Sequence, residues 1–301
     1  MSLVIERATA GWINRTEYPF KSHFIGVDGG NMHFVDEGSG DPIVFVHGTP
    51  TWSYEWRHAI RDLRSDYRCV AMDAIGFGLS DKPENWSYSP VCHARNLKVL
   101  IDERGLENVT LVLHGMGGPI GLEYALNNMP NVRRIVMINS WAWNLKGDAA
   151  AERIWKIATG PLGMMIFFNI NAAKKLMKTM FGDKSKFTEA VSAAYATPFD
   201  EKEARHGLHK QFRQILESGP VFDEIWSRRE ELKGLPMQFI WGMADPAFGE
   251  KALNRFWREF PLAEVARLSG CGHFVTEERP VETIKTLRTF LSESSRSSYL
   301  A

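Results

Sequence analysis

Two residues in the last third of this 301-residue sequence have the types and positions of a catalytic base and its orienting acid. His273 follows a predicted strand at residues 264–268, and Asp245 follows a predicted strand at residues 237–241. An imidazole with a pKa near neutral takes a proton from an attacking hydroxyl or water. A carboxylate fixes the tautomer of that ring and stabilises its charged form. We therefore predict that His273 and Asp245 act together in a hydrolytic reaction.

The residues that should carry the nucleophile lie at 111–118, which read Leu-Val-Leu-His-Gly-Met-Gly-Gly. An apolar run meets a Gly-rich turn, and a helical pattern follows at residues 119–129. This pattern predicts a nucleophile elbow, in which a strained turn between strand and helix presents the attacking side chain. The attacking position is Gly115, which tolerates positive φ but has no side chain. The sequence therefore predicts a catalytic frame whose nucleophile position is empty.

Two further groups flank the elbow. Thr49 follows an apolar strand at residues 43–46, and Met116 follows Gly115 directly. We predict that Thr49 and the backbone N–H of Met116 donate to an oxyanion or a leaving group, one from each side of the nucleophile position. His114 precedes the elbow residue, and we expect it to pack beneath the turn without a catalytic role.

The elements that position these residues alternate between strand and helix. A hairpin is predicted at residues 23–27 and 32–37, and buried strands at 43–46, 69–73, 111–113 and 135–138, with helices at 52–63 and 91–103. Such alternation is typical of a mostly parallel sheet with right-handed crossovers and helices on both faces. The sheet resumes at 237–241, a helix follows at 251–260, and the strand at 264–268 precedes a helix at 281–291. The Ser-rich tail from Ser292 onward is expected to fray.

The alternation stops between residues 142 and 230, a helix-patterned stretch rich in Met and aromatic residues. We interpret it as an inserted helical cap that divides an α/β core into residues 1–141 and 231–301. Much of its apolar content should form the cap's own core, and the rest should make an apolar pocket for a small substrate. The residues expected to line that pocket are Trp141, Trp143, Phe168, Phe248 and Phe274.

The overall composition excludes several classes of partner. The 36 Lys and Arg residues balance 36 Asp and Glu residues, so no net field favours nucleic acid or an acidic membrane. No signal peptide or membrane span is predicted, and Cys69, Cys92 and Cys271 lack metal-ligand spacing. We expect a cytoplasmic monomer or homodimer with reduced thiols. Because no phosphate cradle, metal cluster or dinucleotide fingerprint occurs, no cofactor or metal is expected.

Five motifs in order give the chain a family resemblance: HGTPTWSY at 47–54, GFGLSDKP at 76–83, GGPIGL at 117–122, WGMADPAF at 241–248 and GHF at 272–274. Together they resemble the haloalkane dehalogenase family of α/β-hydrolases, from about residue 18 to residue 291. The resemblance implies an α/β-hydrolase fold with an inserted cap, and the chain order nucleophile, acid, histidine. Some relatives place the acid after the strand before the cap. That position here holds Asn139, so Asp245 remains the predicted acid.

The resemblance also implies an aspartate that displaces halide from carbon, followed by hydrolysis of the resulting ester with help from the histidine. This chain departs from the family at three positions. Gly115 replaces the aspartate, Met116 replaces a tryptophan, and Thr49 replaces an asparagine or glutamate. These changes remove the covalent step and the side-chain N–H donors that would hold a leaving halide. Epoxide hydrolases of this frame need paired cap tyrosines, and the cap contains only Tyr195.

Three hypotheses therefore stay open. The chain is a haloalkane-dehalogenase-like hydrolase for apolar substrates whose nucleophile has been replaced by glycine, so that it binds without turnover. It is alternatively a natural member that uses His273 and Asp245 without a covalent step, in esterase, lactone or lyase-type chemistry. The third hypothesis is a binder of an apolar ligand with no activity.

Overall fold

The computed structural model describes residues 4–6, 10–161, 163, 165 and 172–297. Within them lies one central sheet in the order β1-β2-β3-β5-β4-β6-β7-β8-β9. The first three strands and the β3–β5 pair are antiparallel, whereas the pairs from β5 through β4 to β9 are parallel. The strands are β1 Ile5–Glu6, β2 His23–Val27, β3 Gly30–Glu37, β4 Pro42–Val46, β5 Arg68–Met72, β6 Val109–Gly115, β7 Val132–Ser140, β8 Met237–Gly242 and β9 Glu264–Leu268.

Helices connect the parallel strands and fill the interval between β7 and β8. They are α1 Arg57–Leu63, α2 Pro90–Glu103, α3 Gly117–Asn127, α4 Ala149–Thr159, α5 Ala172–Met180, α6 Glu189–Ala196, α7 Arg205–Glu217, α8 Gly219–Ser227, α9 Glu250–Glu259, α10 Val275–Glu278 and α11 Pro280–Ser297. Helices α4 to α8 occupy the stretch interpreted as a cap. Its boundaries at residues 141 and 230 stay a prediction. No helix in the described part of the chain combines the length and apolar character needed to cross a membrane.

The sheet is covered by an apolar layer on each face. Every residue of β6 is buried, and its side chains alternate between the layers: Leu111 and Leu113 join one apolar cluster, and Val112 joins the other. Alternation between two buried faces explains why the sequence of this strand is continuously apolar. The α/β-hydrolase arrangement predicted from the sequence is confirmed.

Three of the differences between predicted and observed element boundaries concern helices. The helix expected at 52–63 begins as a 3₁₀ turn, Ser53–Trp56, before α1. Helix α3 begins two residues before its predicted start, at Gly117. The tail expected to fray from Ser292 continues α11 to Ser297, because the buried Phe290 and Leu291 anchor the preceding turns and propagation of a helix adds one hydrogen bond per residue.

We predict that Gly115→Ala does not stabilise the protein. Gly115 has φ +52°, and an added Cβ would lie 3.3 Å from the Cα of Gly48. A left-handed alanine costs about 1–2 kcal/mol. Gly105→Ala is the matched control, because Gly105 has φ +58° and no atom within 4 Å of an added Cβ. Thermal unfolding should show Gly115→Ala lowering Tm at least as much as Gly105→Ala. A clear rise for Gly115→Ala contradicts the interpretation of a strained elbow.

Candidate active site

The turn after β6 has the backbone of a nucleophile elbow. Gly115 ends the strand in the left-handed region, and α3 begins two residues later. The Ser140 hydroxyl donates to the Gly115 carbonyl at 2.7 Å and fixes the turn against β7. Gly118 is required by close approach, since a Cβ there would collide with the Ser140 side chain. The Gly-rich turn thus places the elbow directly against the neighbouring strand.

An added side chain at position 115 would face the predicted base. A Cβ built on Gly115 lies 3.4 Å from Nε2 of His273. A hydroxyl or carboxylate oxygen carried by that Cβ reaches the range of about 2.6–3.2 Å in which a base accepts a proton. The structure therefore brings Gly115 and His273 together in the relation of nucleophile position and base.

The other ring nitrogen of His273 contacts the predicted acid. Nδ1 lies 2.8 Å from Oδ2 of Asp245, and both side chains are buried. The backbone N–H of Ala247 donates to Oδ1 of Asp245 at 2.8 Å. Burial alone would raise the pKa of the Asp245 carboxyl, but the charge of His273 and these hydrogen bonds outweigh it and hold the pKa below 3.8. Asp245 is thus an anion that orients the ring.

Asn139 makes a third contact to this pair that the sequence analysis did not predict. Its Nδ2 donates to Oδ2 of Asp245 at 2.8 Å, and its Oδ1 accepts from the backbone N–H of Gly242 at 2.6 Å. The pairing of β6 with β7 shifts here: His114 is opposite Ile138, and Gly115 is opposite Ser140. Asn139 is the extra residue, with φ +32°. A bulge of this kind redirects a side chain near a site.

A second buried pair lies beneath the base. Nδ1 of His114 is 2.7 Å from Oε1 of Glu55, and both side chains have no exposed area. Burial opposes both charges, yet their mutual attraction outweighs it, raising the pKa of His114 above 6.5 and lowering that of Glu55 below 4.5. Nε2 of His114 donates to the backbone carbonyl of His273 at 3.1 Å. His114 therefore packs against His273 next to the elbow and also supports the main chain of that residue.

The loop that carries His273 is joined to the segment after α5. The backbone N–H of His273 donates to the carbonyl of Met180 at 2.9 Å. The Glu278 carboxylate accepts from the backbone N–H groups of Gly272 at 2.9 Å, Asp183 at 2.7 Å and Gly182 at 3.2 Å. These bonds hold the base against the predicted cap. The sequence offered no signal for Glu278, because its partners are all main-chain groups.

The predicted donors lie on the two sides of the elbow. Thr49 is half-buried and follows Gly48, whose Cα is 3.3 Å from the built Cβ of residue 115. Its loop is shaped by His47, whose Nδ1 donates to the Gly48 carbonyl at 2.7 Å while Nε2 accepts from the N–H of Ala74 at 2.9 Å. Met116 is buried and precedes the first residue of α3. Their role as donors stays a prediction.

Two of the five predicted pocket aromatics contact the ring of His273, and a third stacks on one of them. The ring of Phe248 lies 6.0 Å from that of His273, and Trp141 stacks on Phe248 with centroids 4.5 Å apart and planes at 7°. The ring centroid of Phe274 lies 5.1 Å from that of His273, with the two planes nearly perpendicular. Trp143 is not brought to this group. It packs instead among the aromatic and basic residues Trp226, Phe256 and Arg255. Phe168 lies outside the described residues.

Two potential alternatives to this chemistry have no support in the described residues. No group of three or more His, Cys, Asp and Glu side chains there has the arrangement of metal ligands. Cys271, two residues before His273, is buried, and burial raises the pKa of its thiol. It is therefore held as a neutral thiol, which is not the nucleophilic form.

A histidine and an aspartate paired at strand ends, a turn with the backbone of an elbow and a mostly parallel sheet are typical of an α/β-hydrolase. The chain belongs to the α/β-hydrolase fold family, whose model matches residues 41–280. Within it the chain is haloalkane-dehalogenase-like: it is 33% identical over 267 residues to haloalkane dehalogenase 2 of Mycobacterium tuberculosis, covering 87% of this chain and 92% of that one.

The chain is also similar to a decarboxylase and to a solved haloalkane dehalogenase structure. The cis-3-alkyl-4-alkyloxetan-2-one decarboxylase of Shewanella oneidensis is 29% identical over 288 residues, covering 93% of this chain and 91% of that protein. Among solved structures, the haloalkane dehalogenase DatA from Agrobacterium tumefaciens matches with a TM-score of 0.80 and 27% identity, over 91% of this chain and 97% of that chain.

We predict that the Glu55–His114 pair contributes to stability. Glu55→Gln leaves a buried His114 without its counterion and should lower the free energy of unfolding by about 3–5 kcal/mol. The double variant Glu55→Gln/His114→Asn should lose less than the sum of the single changes, because no unpaired charge remains. Urea denaturation measures all four forms. Additive losses contradict the pairing.

The same pair predicts a pH dependence. Because the pKa of Glu55 is lowered in the folded state, Glu55 contributes stability above its unfolded pKa of 4.5. That contribution is lost as the pH falls through the folded pKa. Because the pKa of His114 is raised in the folded state, His114 contributes stability below its unfolded pKa of 6.5. That contribution is lost as the pH rises through the folded pKa. The stability difference between the wild-type chain and the double variant should therefore be largest between pH 4.5 and 6.5. A difference that is flat from pH 4 to pH 8 contradicts this assignment.

Proposed function

We propose that this chain is a haloalkane-dehalogenase-like hydrolase frame for small or medium apolar substrates, in which the nucleophile position is taken by Gly115. The observation that carries the proposal is the 3.4 Å separation between a Cβ at position 115 and Nε2 of His273. His273 and Asp245 keep the spacing of a base and its acid. His273 and Asp245 are therefore arranged next to Gly115 as a base and its acid would be next to a nucleophile, although glycine has no side chain that can attack.

With an aspartate at position 115 the chemistry follows from the geometry. One carboxylate oxygen attacks the carbon that bears the halogen, the carbon–halogen bond breaks, and halide leaves while an ester to the protein forms. His273 then takes a proton from water through Nε2 while the water oxygen adds to the ester carbonyl carbon. The bond from that carbon to the alkyl oxygen breaks, the alcohol leaves with the proton from His273, and the aspartate carboxylate is restored. Asp245 stabilises the imidazolium that the proton transfer from water creates. With Gly115 neither the ester nor its hydrolysis takes place.

A second candidate function uses the same pair without a covalent intermediate. In this candidate a water molecule takes the place of the nucleophile next to Nε2 of His273, and His273 activates it for attack on an ester or lactone carbonyl. The similarity to oxetanone decarboxylases, whose names describe a four-membered lactone ring, supports lactones as substrates to test. The third possibility, a binder without turnover, keeps the apolar pocket alone.

The pocket should favour apolar substrates because aromatic rings surround the base. Phe248 and Phe274 lie next to His273, and Trp141 stacks on Phe248. We propose haloalkanes, esters and lactones as the substrate classes, with no cofactor. A cytoplasmic location and a monomeric or homodimeric state stay predictions.

We predict that activity depends on residue 115. Halide release from haloalkanes and hydrolysis of p-nitrophenyl esters are measured for the chain as it stands, for Gly115→Asp and for Gly115→Ser. The first proposal expects activity only in a variant, with Gly115→Asp releasing halide or Gly115→Ser cleaving esters. Activity in the unchanged chain that is lost with His273→Ala supports the second function instead. Binding without turnover in every form supports the third.

We predict that Asp245 orients the base in whichever active form is found. Asp245→Asn should lower kcat by about 10³- to 10⁴-fold, because the ring loses its partner anion and its tautomer. The side chains of Asn139 and Asp245 are in contact, with Nδ2 2.8 Å from Oδ2. The exchange Asn139→Asp/Asp245→Asn therefore keeps one carboxylate in this group of residues and moves it from position 245 to position 139. The exchange should recover part of the lost kcat. Full activity of Asp245→Asn alone rules out the assigned role.

A further inference from the structure

Trp141 is the residue at which β7 leaves the sheet beside the elbow. Its neighbour Ser140 pairs with Gly115 in the sheet and donates a hydrogen bond to the Gly115 carbonyl. Adjacent strands of a sheet lie about 4.8 Å apart. The main chain of Ser140 is therefore about one strand spacing from Gly115, and Trp141 is the next residue of the chain.

Stacking fixes the orientation of the Trp141 indole. Its plane lies 7° from that of Phe248 with centroids 4.5 Å apart, and Phe222 of α8 contacts its edge at 5.8 Å. Phe248 in turn lies 6.0 Å from His273. The ring is thus part of a continuous aromatic wall that begins at the base, and only 2% of Trp141 is exposed.

The indole nitrogen of this wall has no hydrogen-bond partner. Among the described residues, Nε1 of Trp141 is buried and contacts no acceptor. Two other buried indoles show the usual arrangement: Trp52 donates to the Ala194 carbonyl at 2.9 Å, and Trp241 donates to the Phe248 carbonyl at 2.6 Å. A buried donor left without an acceptor costs about 1–3 kcal/mol. Such a group is explained when a ligand supplies the acceptor.

Two more buried indole nitrogens, those of Trp56 and Trp86, also lack a partner. Their surroundings differ from those of Trp141. Trp56 packs on Phe45 in the apolar cluster on the other face of the sheet. Trp86 contacts Tyr88 and lies outside the wall of rings around His273. Of the three, only Trp141 is joined to the base through a stacked ring, so it is the one placed to meet a substrate.

We propose that the indole N–H of Trp141 binds the hydrogen-bond acceptor of the substrate, a halogen or halide ion or the carbonyl oxygen of an ester or lactone. This inference rests on the proposed function. An indole N–H only donates, so the ligand atom it meets must accept. Met116 carries a thioether, which donates no hydrogen bond, and Trp141 supplies the indole donor from the neighbouring strand end. It orients an otherwise apolar ligand over Gly115 and His273.

The test uses the chain as it stands, with its ten tryptophans labelled with ¹⁵N in the indole ring. Cyclohexanone is the probe with a carbonyl acceptor, cyclohexane is its matched probe without one, and sodium bromide is the anionic probe, with sodium sulfate at equal ionic strength as its control. Trp141→Phe assigns the Trp141 signal by its disappearance. Saturation transfer from protein to ligand reports binding of the organic probes independently of any indole.

We expect cyclohexanone or bromide to move the Trp141 indole N–H signal downfield, whereas cyclohexane binds without moving it. The Trp56 signal should stay in place with every probe. Trp141→Phe should weaken cyclohexanone binding about three- to tenfold and leave cyclohexane binding unchanged. Trp56→Phe, which removes another unpaired indole N–H, should change neither affinity. The bromide and ketone arms tell whether the acceptor is an anion, a carbonyl or either.

The failures are distinguishable. Binding of cyclohexanone and of cyclohexane with an unmoved Trp141 signal overturns this inference and leaves the apolar pocket of the proposed function intact. Equal loss of both affinities in Trp141→Phe also overturns it, because that result assigns the ring a packing role only. Binding of no probe, by saturation transfer or by any indole shift, overturns the proposed apolar pocket and the inference with it.

Discussion

The position of His273 depends on buried polar groups finding partners at the carboxyl edge of the sheet. Its backbone N–H and carbonyl bond to Met180 and His114, and Gly272 next to it bonds to Glu278. A buried group without a partner is costly, so each bond restricts where the loop can lie. The hydrogen bond from its side chain to Asp245 is then formed by a residue whose main chain is already fixed.

The same principle joins the candidate cap to the core. Arg57 forms a two-pronged ion pair with Glu277, and the hydroxyl of Tyr195 in α6 donates to the same carboxylate at 2.5 Å. Nearby, the Trp52 indole donates to the carbonyl of Ala194. Separating α6 from the core would take the Tyr195 hydroxyl away from the buried Glu277 carboxylate and the Ala194 carbonyl away from the Trp52 indole, and both core groups would lose a hydrogen bond. Tyr195, the single cap tyrosine, is therefore used in attachment.

The sequence predicted the groups whose positions follow from strand order, and missed those whose partners are distant. His273, Asp245 and Gly115 stand at the ends of parallel strands, and such ends share one edge of a sheet, so their meeting was predictable. The contact between Glu55 and His114 was not predicted, because the two residues are far apart in the sequence and no local pattern indicates that they meet. Trp141 and Trp143 were equivalent as pocket candidates, yet only Trp141 stacks beside the base. The difference depends on where the chain turns after β7, which periodicity does not reveal.

The irregularity at Asn139 bears on how such a site can be copied. One extra residue in β7 turns an amide toward Asp245 and toward the backbone of β8. The regular pairing of β6 with β7 is interrupted at Asn139, and Asp245 gains a hydrogen bond from a neutral amide. Because the amide carries no charge, it does not compete with the ion pair between Asp245 and His273. A histidine and an aspartate grafted onto an unbroken parallel sheet would reproduce the residues of this pair without that donor. A design that copies this site must therefore reproduce the bulge in β7 as well as the side chains of Asn139, Asp245 and His273.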